Sequence, residues 1–362
     1  MQTSKWQITR FSIVYLGSQS TMFLVPGLIE SSGYQGWIGI VAGCALALIP
    51  LFFTVQLGKL KPGTGWVDFG AEITGKWMHR VIVLLLLCWC VYYASYDIEN
   101  FVLFFGSNYL RGTPPLLIQL LIGLVIMYTA HLGVTSIVYM SDGISIIFVG
   151  STMLSIYLFI QHANYAILPA FLHYHDPFIA FKDSLTVMSW LGEWVVFLFV
   201  APELKISKST MKKLALGGMC VMLTILLGWV MTLLNFGAYL GKELTFPYLQ
   251  LVRSSSNNEL LGNSDPLLIG IWSASMFIHS SFLIYVASKC AAYLIGQRAK
   301  KLLIPGLTVC SVTIAYLYSR NLARYDHDYY SFNMALVWLI VEFIPMYYFF
   351  ALMLRKKRQP QA

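Results

Sequence analysis

The chain has 362 residues, of which 58% are hydrophobic and only 11% charged, with a mean hydropathy of +0.68. Soluble domains carry about 25% charged residues, so the composition argues against a water-soluble globule, a disordered chain or a nucleic-acid-binding domain. The formal charge of +8 then needs an explanation other than a polyanionic partner, and membrane topology supplies one.

Crossing the hydrocarbon layer takes about 20 apolar residues in helical form. The chain offers about ten such stretches, near 11–29, 37–58, 81–106, 115–133, 137–161, 180–201, 214–236, 266–288, 302–318 and 333–354. No alternating ten-residue pattern of a membrane barrel is present, so the expected fold is an all-α integral membrane protein. Lys5 and Arg10 precede the first stretch as in a signal peptide, but no small-x-small cleavage site follows, and it reads as a retained helix. The fourth and fifth stretches are separated only by the weak break at His131, Gly133 and Ser136.

With the N-terminus in the cytoplasm, inside segments hold 18 of the 24 Lys and Arg residues. The outside loops keep Arg111, Lys182, Lys242, Arg253, Arg320 and Arg324. This positive-inside bias predicts an even number of spans with both termini cytoplasmic, and the basic surplus faces anionic membrane lipid. The six cysteines lie in or at the ends of spans and form no loop-based disulfide framework.

Ten spans divide into residues 1–161 and 162–362, two five-helix repeats of a single membrane domain. An odd number of spans per repeat inverts the second relative to the first, as in many secondary transporters, whose binding sites lie where corresponding helices of both halves are interrupted. Here the first span carries Gly17, Ser18, Gln19, Ser20 and Thr21 near its middle, then Pro26 and Gly27. The sixth carries Trp190, Leu191, Gly192 and Glu193, then Pro202. Freed backbone groups are tolerated in a membrane only against a ligand, an ion or water, so both helices are expected to be broken at a midplane site. The competing account has Ser and Thr bonding back to their own helix and Gly serving close packing.

Carboxylates within spans are costly and each needs a reason. Asp97 and Glu99 lie in the third span, Asp142 in the fifth, Glu193 in the sixth and Glu342 in the tenth. Helical spacing puts Tyr93, Asp97 and Asn100 on one stripe of the third span, with Tyr92, Tyr96 and Glu99 beside it. Such a face suits a zwitterion, or else interhelical hydrogen bonds. Glu193 has three readings: it holds a ligand ammonium group, binds a proton, or caps the second half-helix. In the eighth span, His279, Ser280 and Ser281 offer a proton site or two hydroxyls for sodium. No catalytic signature, metal site or cofactor site is convincing: Gly70 to Lys76 has P-loop glycine spacing, but Trp77 stands where a Ser or Thr would bind magnesium. The polar clusters at 173–176 and 326–328 read as solvated outer loops.

Several short segments carry a resemblance. Phe246-Pro247, Leu251-Val252-Arg253, Asp265, Ile269 and Ile271-Trp272 resemble the loop-to-eighth-helix signature of the spore germination permeases, the GerAB-type B subunits of nutrient receptors. Ile8 through Leu24-Val25-Pro26, Gly33 with Trp37, Gly75-Lys76-Trp77 and Gly192-Glu193 with Pro202 are similar too. A basic residue usual before the loop aspartate is replaced by Asn263 and Ser264, which leaves any charge pairing there in doubt. The resemblance implies a LeuT-like 5+5 inverted-repeat fold of the amino acid–polyamine–organocation superfamily in the inner membrane of an endospore. It also implies recognition of a nutrient, often an L-amino acid, beside an A-type membrane subunit and a C-type lipoprotein subunit. On that reading the ligand carboxylate meets the first helix at Gly17 to Thr21. Its ammonium group lies near Trp190 to Gly192, or near Tyr93 and Tyr96. The rival expectation is an amino-acid transporter coupled to protons through Glu193 or His279, or to sodium at Ser280 and Ser281. A purely structural scaffold leaves five intramembrane carboxylates unexplained.

Overall fold

The computed structural model describes residues 6–173, 175–200, 203–204, 206–207, 209–255, 265–296 and 300–358. Pro202, Asn263, Ser264 and Tyr174 of the 173–176 cluster lie outside them, as does the side chain of Asp265. Among the described residues the secondary structure is helical throughout.

The first passage comprises α1 (Gln7–Gln19), a π-helical turn (Ser20–Leu24) and α2 (Val25–Ser32). The interruption expected at 17–21 takes the form of this wide turn, because Gln19, Ser20 and Leu24 all keep helical dihedrals. Pro26 sits at the second position of α2, where its missing N–H costs little. A 3₁₀ turn at Gly33–Gln35, entered through Gly33 at φ +54°, leads into α3 (Gly36–Gly58).

Amphipathic α4 (Trp66–Thr74) precedes the long α5 (Lys76–Asn108). Helices α6 (Pro115–Leu132) and α7 (Val134–Ile160) are separated by the single residue Gly133 at φ +83°, which places the weak break read at 131–136. Short α8 (Ala170–His173) leads to α9 (Pro177–Leu191), which stops at Gly192 and continues as a 3₁₀ helix over Glu193–Phe199. The sixth stretch is therefore broken where the Gly-Glu pair predicts. The remaining helices are α10 (Thr210–Glu243), kinked at Gly237, α11 (Pro247–Ser255), α12 (Asp265–Ile295), α13 (Lys300–Ser319), α14 (Leu322–Tyr329), α15 (Phe332–Glu342) and α16 (Ile344–Arg358).

Among the described residues seven helices are long and apolar enough to cross a membrane, or eight if the pair α15–α16, bent by 41°, is one span. One of the seven is the 52-residue run Gln7–Gly58, which covers two of the stretches read from the sequence. The broken α9 falls outside this set because neither of its pieces is long enough.

Small residues set the closest helix contacts. A Cβ on Gly39 would lie 2.6 Å from the Asp183 Cβ, and one on Gly43 2.6 Å from the Ser184 carbonyl. Helices α3 and α9 thus touch backbone to backbone, as small-xxx-small pairs allow in membranes. Helix α1 meets α10 in the same way, at Gly217 against Ser12. The interior is strongly aromatic, with Trp66, Trp194, Trp229 and Trp338 fully buried, while Leu, Ile and Val side chains of α6, α7 and α13 point outward.

Candidate functional site

Helix α12 packs on α5, on α1 and on the 3₁₀ segment after the α9 break, and this packing brings charged side chains together far from solvent. Asp97, Glu193 and His279 are 0, 2 and 1% exposed. The imidazole bridges the two carboxylates, with Nδ1 2.7 Å from Asp97 Oδ2 and Nε2 3.1 Å from Glu193 Oε2. Each ring nitrogen faces an acceptor, so the ring donates on both sides as imidazolium unless a carboxyl carries the proton instead. Either way the trio holds an exchangeable proton.

Neutral donors complete both carboxylates. Glu193 accepts from Tyr15 at Oε2 and from Tyr93 at Oε1, both at 2.8 Å. Asp97 accepts from Ser280 at 2.6 Å and from the Gln19 amide. Gln19 in turn accepts from Tyr329 at 2.5 Å, Asn100 donates to the Tyr329 hydroxyl at 3.0 Å, and Tyr325 donates to Asn100 at 2.6 Å. The network runs from the first passage through α5 and α12 to the short helix α14. No Lys or Arg is among these partners, so His279 is the one basic side chain between the two carboxyl groups.

The other expected site residues are placed differently. Ser18, Ser20 and Thr21 donate to Tyr15, Leu16 and Gly17 carbonyls of their own helix at 2.5–2.7 Å. Gly17 faces the Phe148 ring of α7, where a Cβ would sit 3.0 Å away. Tyr96 donates to Tyr92 at 3.1 Å and packs its ring on Tyr329. Trp190 packs on Tyr329 and Trp338. Gly192 lies against Glu342, and the Ser281 hydroxyl is buried without a hydrogen-bond partner among the described residues. Glu99 forms a separate cluster, accepting from Gln119 at 2.9 Å and Ser319 at 2.7 Å. Asp142 pairs with Arg10 and Gln7 near the other end of α1.

Sequence reasoning missed Tyr15, Tyr325, Tyr329 and Trp338. Tyr15 stands four residues before Gln19, on the same helical face. Tyr325 and Tyr329 are also an i, i+4 pair, hidden in a segment read as a solvated loop.

Two cavities approach the cluster from opposite ends. One of about 1120 Å³ is lined by Glu30, Asp183, Trp190, Asp326, Tyr329 and Trp338, among others. The other, about 1060 Å³, includes Asp68, His131, Phe199, Glu203, Tyr285 and Lys289. At the α14 end one aromatic layer, Trp190, Tyr329 and Trp338, separates cavity from cluster, with Trp338 packed on Tyr93 at 4.4 Å between centroids. At the α4 end Phe11, Phe197 and Phe282 all pack on Tyr15, at 5.8, 5.7 and 5.5 Å, and Phe11 also meets Phe197 and Phe282 at 5.4 and 5.0 Å, a cluster of four rings.

A buried polar cluster between two cavities, beside a broken helix, defines a membrane protein of the permease class. The solved structure of Mhp1, a nucleobase-cation-symport-1 family transporter in a closed conformation with bromovinylhydantoin bound, superposes with a TM-score of 0.58, covering 87% of this chain and 71% of that one at 14% identity. That likeness shows a shared transporter fold. Residues 4–323 match the family model described as spore germination protein, and the chain belongs to that family of GerAB-type permeases. Spore germination protein XB of Bacillus anthracis is 24% identical over 323 residues, covering 85% of this chain and 86% of its own. Spore germination protein KB of Bacillus subtilis (strain 168) is 19% identical, covering 95% and 92%.

Proposed function

We propose that this chain is the permease-like subunit of a nutrient germinant receptor. A small nutrient such as an L-amino acid enters from the α14 end, binds at the cluster and triggers germination. The observation that carries the reading is the enclosed Asp97–His279–Glu193 trio, two acids with a single basic side chain between them, beneath a single aromatic layer in a chain of the spore germination family. An ammonium group pairs with these acids, with Tyr93, Tyr96, Asn100 and the Trp190–Gly192 backbone around it. The ligand carboxylate lies toward the π turn of the first helix, near Gln19 to Thr21.

In this reading ten spans form two inverted five-helix repeats, 1–161 and 162–362, in the inner spore membrane, with both termini cytoplasmic. Pairwise packing supports the repeat. Helix α3 packs on α9 as α10 packs on α1, α1 on α7 as α9 on α15, and α13 on α5 as α6 on α12. Each contact is the image of the other when the halves are exchanged. Ligand binding shifts the chain between two conformations, and A-type and C-type subunits read that shift.

The test compares saturable binding with time-dependent uptake of a labelled amino-acid panel by the purified chain in proteoliposomes. Saturable binding without accumulation, with loss of germination when spores carry Glu193→Gln, is the expected result. Accumulation driven by a proton or sodium gradient would instead establish the second reading, a coupled amino-acid transporter. The proton held between Asp97, His279 and Glu193 favours that alternative, as the unpartnered Ser281 hydroxyl favours a sodium-coupled form.

A further inference from the structure

Glu342 ends α15, one residue before the bend into α16. It is fully buried, and neither carboxyl oxygen has a hydrogen-bond partner among the described residues. Its position is nonetheless specific. A Cβ built on Gly192 would lie 2.3 Å from Glu342 Oε2 and 2.6 Å from the Met188 carbonyl. The carboxyl group therefore rests on the backbone where α9 breaks, in the space that the missing glycine side chain leaves.

Among the described side chains, the elements packed against α15 bring no counter-charge to Glu342. The break contributes Glu193, itself an acid, and α5 contributes Tyr93 and Asp97, both already bonded within the trio. Lys182 of α9 lies over the Phe332 ring at the opposite end of α15. On α5, Lys76, His79 and Arg80 belong to the first two turns, and His79 is held by Tyr348 and the Val67 carbonyl. On α16, Tyr348 takes that bond, and Arg355 donates to the Glu72 carbonyl. An ionised carboxylate without donor or cation is far more costly in an apolar interior than the neutral acid.

We propose that Glu342 is a proton-binding site that exchanges its proton for an ammonium group at the Gly192 break. The O–H bond of the acid breaks heterolytically, the proton leaves to solvent, and the carboxylate pairs with the incoming ammonium, whose own bonds are unchanged. The exchange rests on the ligand reading above only in expecting an ammonium group. The resident proton rests on the geometry of Glu342 alone.

Infrared difference spectroscopy on the full chain in lipid vesicles tests both claims, with methylammonium chloride as the probe. Glu342→Gln is expected to lose one protonated-carboxyl C=O band at neutral pH. Carboxyl-¹³C glutamate labelling of the unsubstituted chain should shift that same band, which keeps the assignment open to test if the Gln variant does not fold. Methylammonium should convert the band to carboxylate and release one proton per chain into weak buffer, and Glu342→Gln should do neither. A wild-type chain without a labelled protonated-glutamate band overturns the proton site, and a band that persists at saturating methylammonium overturns the exchange. Loss of nutrient binding with the band intact would count against the ligand reading alone.

Discussion

The Tyr329 hydroxyl donates to Gln19 Oε1 at 2.5 Å, joining a short helix at the chain's α14 end to the residue just before the π turn. Tyr329→Phe removes that hydroxyl and leaves both Gln19 Oε1 and the Asn100 amide short of a partner. A buried group left unsatisfied costs about 1–3 kcal/mol, so the unfolding midpoint of the detergent-solubilised chain should fall. The aromatic layer should also loosen. A cysteine introduced at Ser280 should then react faster with a polar thiol reagent than it does with Tyr329 intact, and an unchanged rate would mean that α14 does not cover the cluster.

His279 separates two carboxylates that otherwise share a closed space. His279→Gln should cost far more stability than Tyr93→Phe, because it removes the charge compensation of both acids, whereas Tyr93 is one of two tyrosine donors to Glu193. Adding Asp97→Asn to His279→Gln should recover some of the loss. Contacting residues in such networks couple by about 0.5–3 kcal/mol, and strict additivity of the two unfolding midpoints would show that the trio is not coupled.

Gly192 has no room for a side chain. Gly192→Ala should displace Glu342 and the break together, abolishing ligand binding while leaving membrane insertion intact. Combining it with Glu342→Ala clears the nearer obstruction, so the double variant should be more stable than Gly192→Ala alone by thermal unfolding. Failure of that partial rescue would locate the conflict at the Met188 carbonyl instead.

The α3–α9 contact should be equally intolerant. Gly39→Leu or Gly43→Leu forces two backbones apart, where overpacking typically costs about 1–3 kcal/mol and sometimes more. Both variants should yield less folded protein, whereas Gly63→Leu, with open space around its Cα, should behave as wild type on size-exclusion chromatography.

Much of this arrangement was legible in the residues. Membrane insertion follows from composition, and the break at Gly192 from a Gly-Glu pair inside an apolar stretch. The link of Asp97 to Glu193 through His279 was not legible, because no local rule relates residues 86 to 182 positions apart. The seryl-threonyl run at 18–21 suggested unwinding, yet its hydroxyls bond to their own helix, and the interruption is a π turn flanked by helical dihedrals. Tyr325 and Tyr329 were obscured for another reason. Their neighbours Arg324, Asp326, His327 and Asp328 are polar enough to read as a loop, and only the i, i+4 spacing of two tyrosines marks the buried face of α14.

The unequal barriers on the two sides of the cluster carry a kinetic consequence. Opening at the α14 end separates three rings and breaks the bonds of one tyrosine hydroxyl, whereas opening at the α4 end must part the four clustered rings of Phe11, Tyr15, Phe197 and Phe282 and unseat the Tyr15 bond to Glu193. With the larger apolar contact comes the slower separation. On the proposed reading, in which a nutrient enters from the α14 end, it would be released back toward its side of entry many times for each passage through. The chain would then exchange quickly with one compartment and leak little into the other, and its occupancy would follow the concentration of solute at the α14 face.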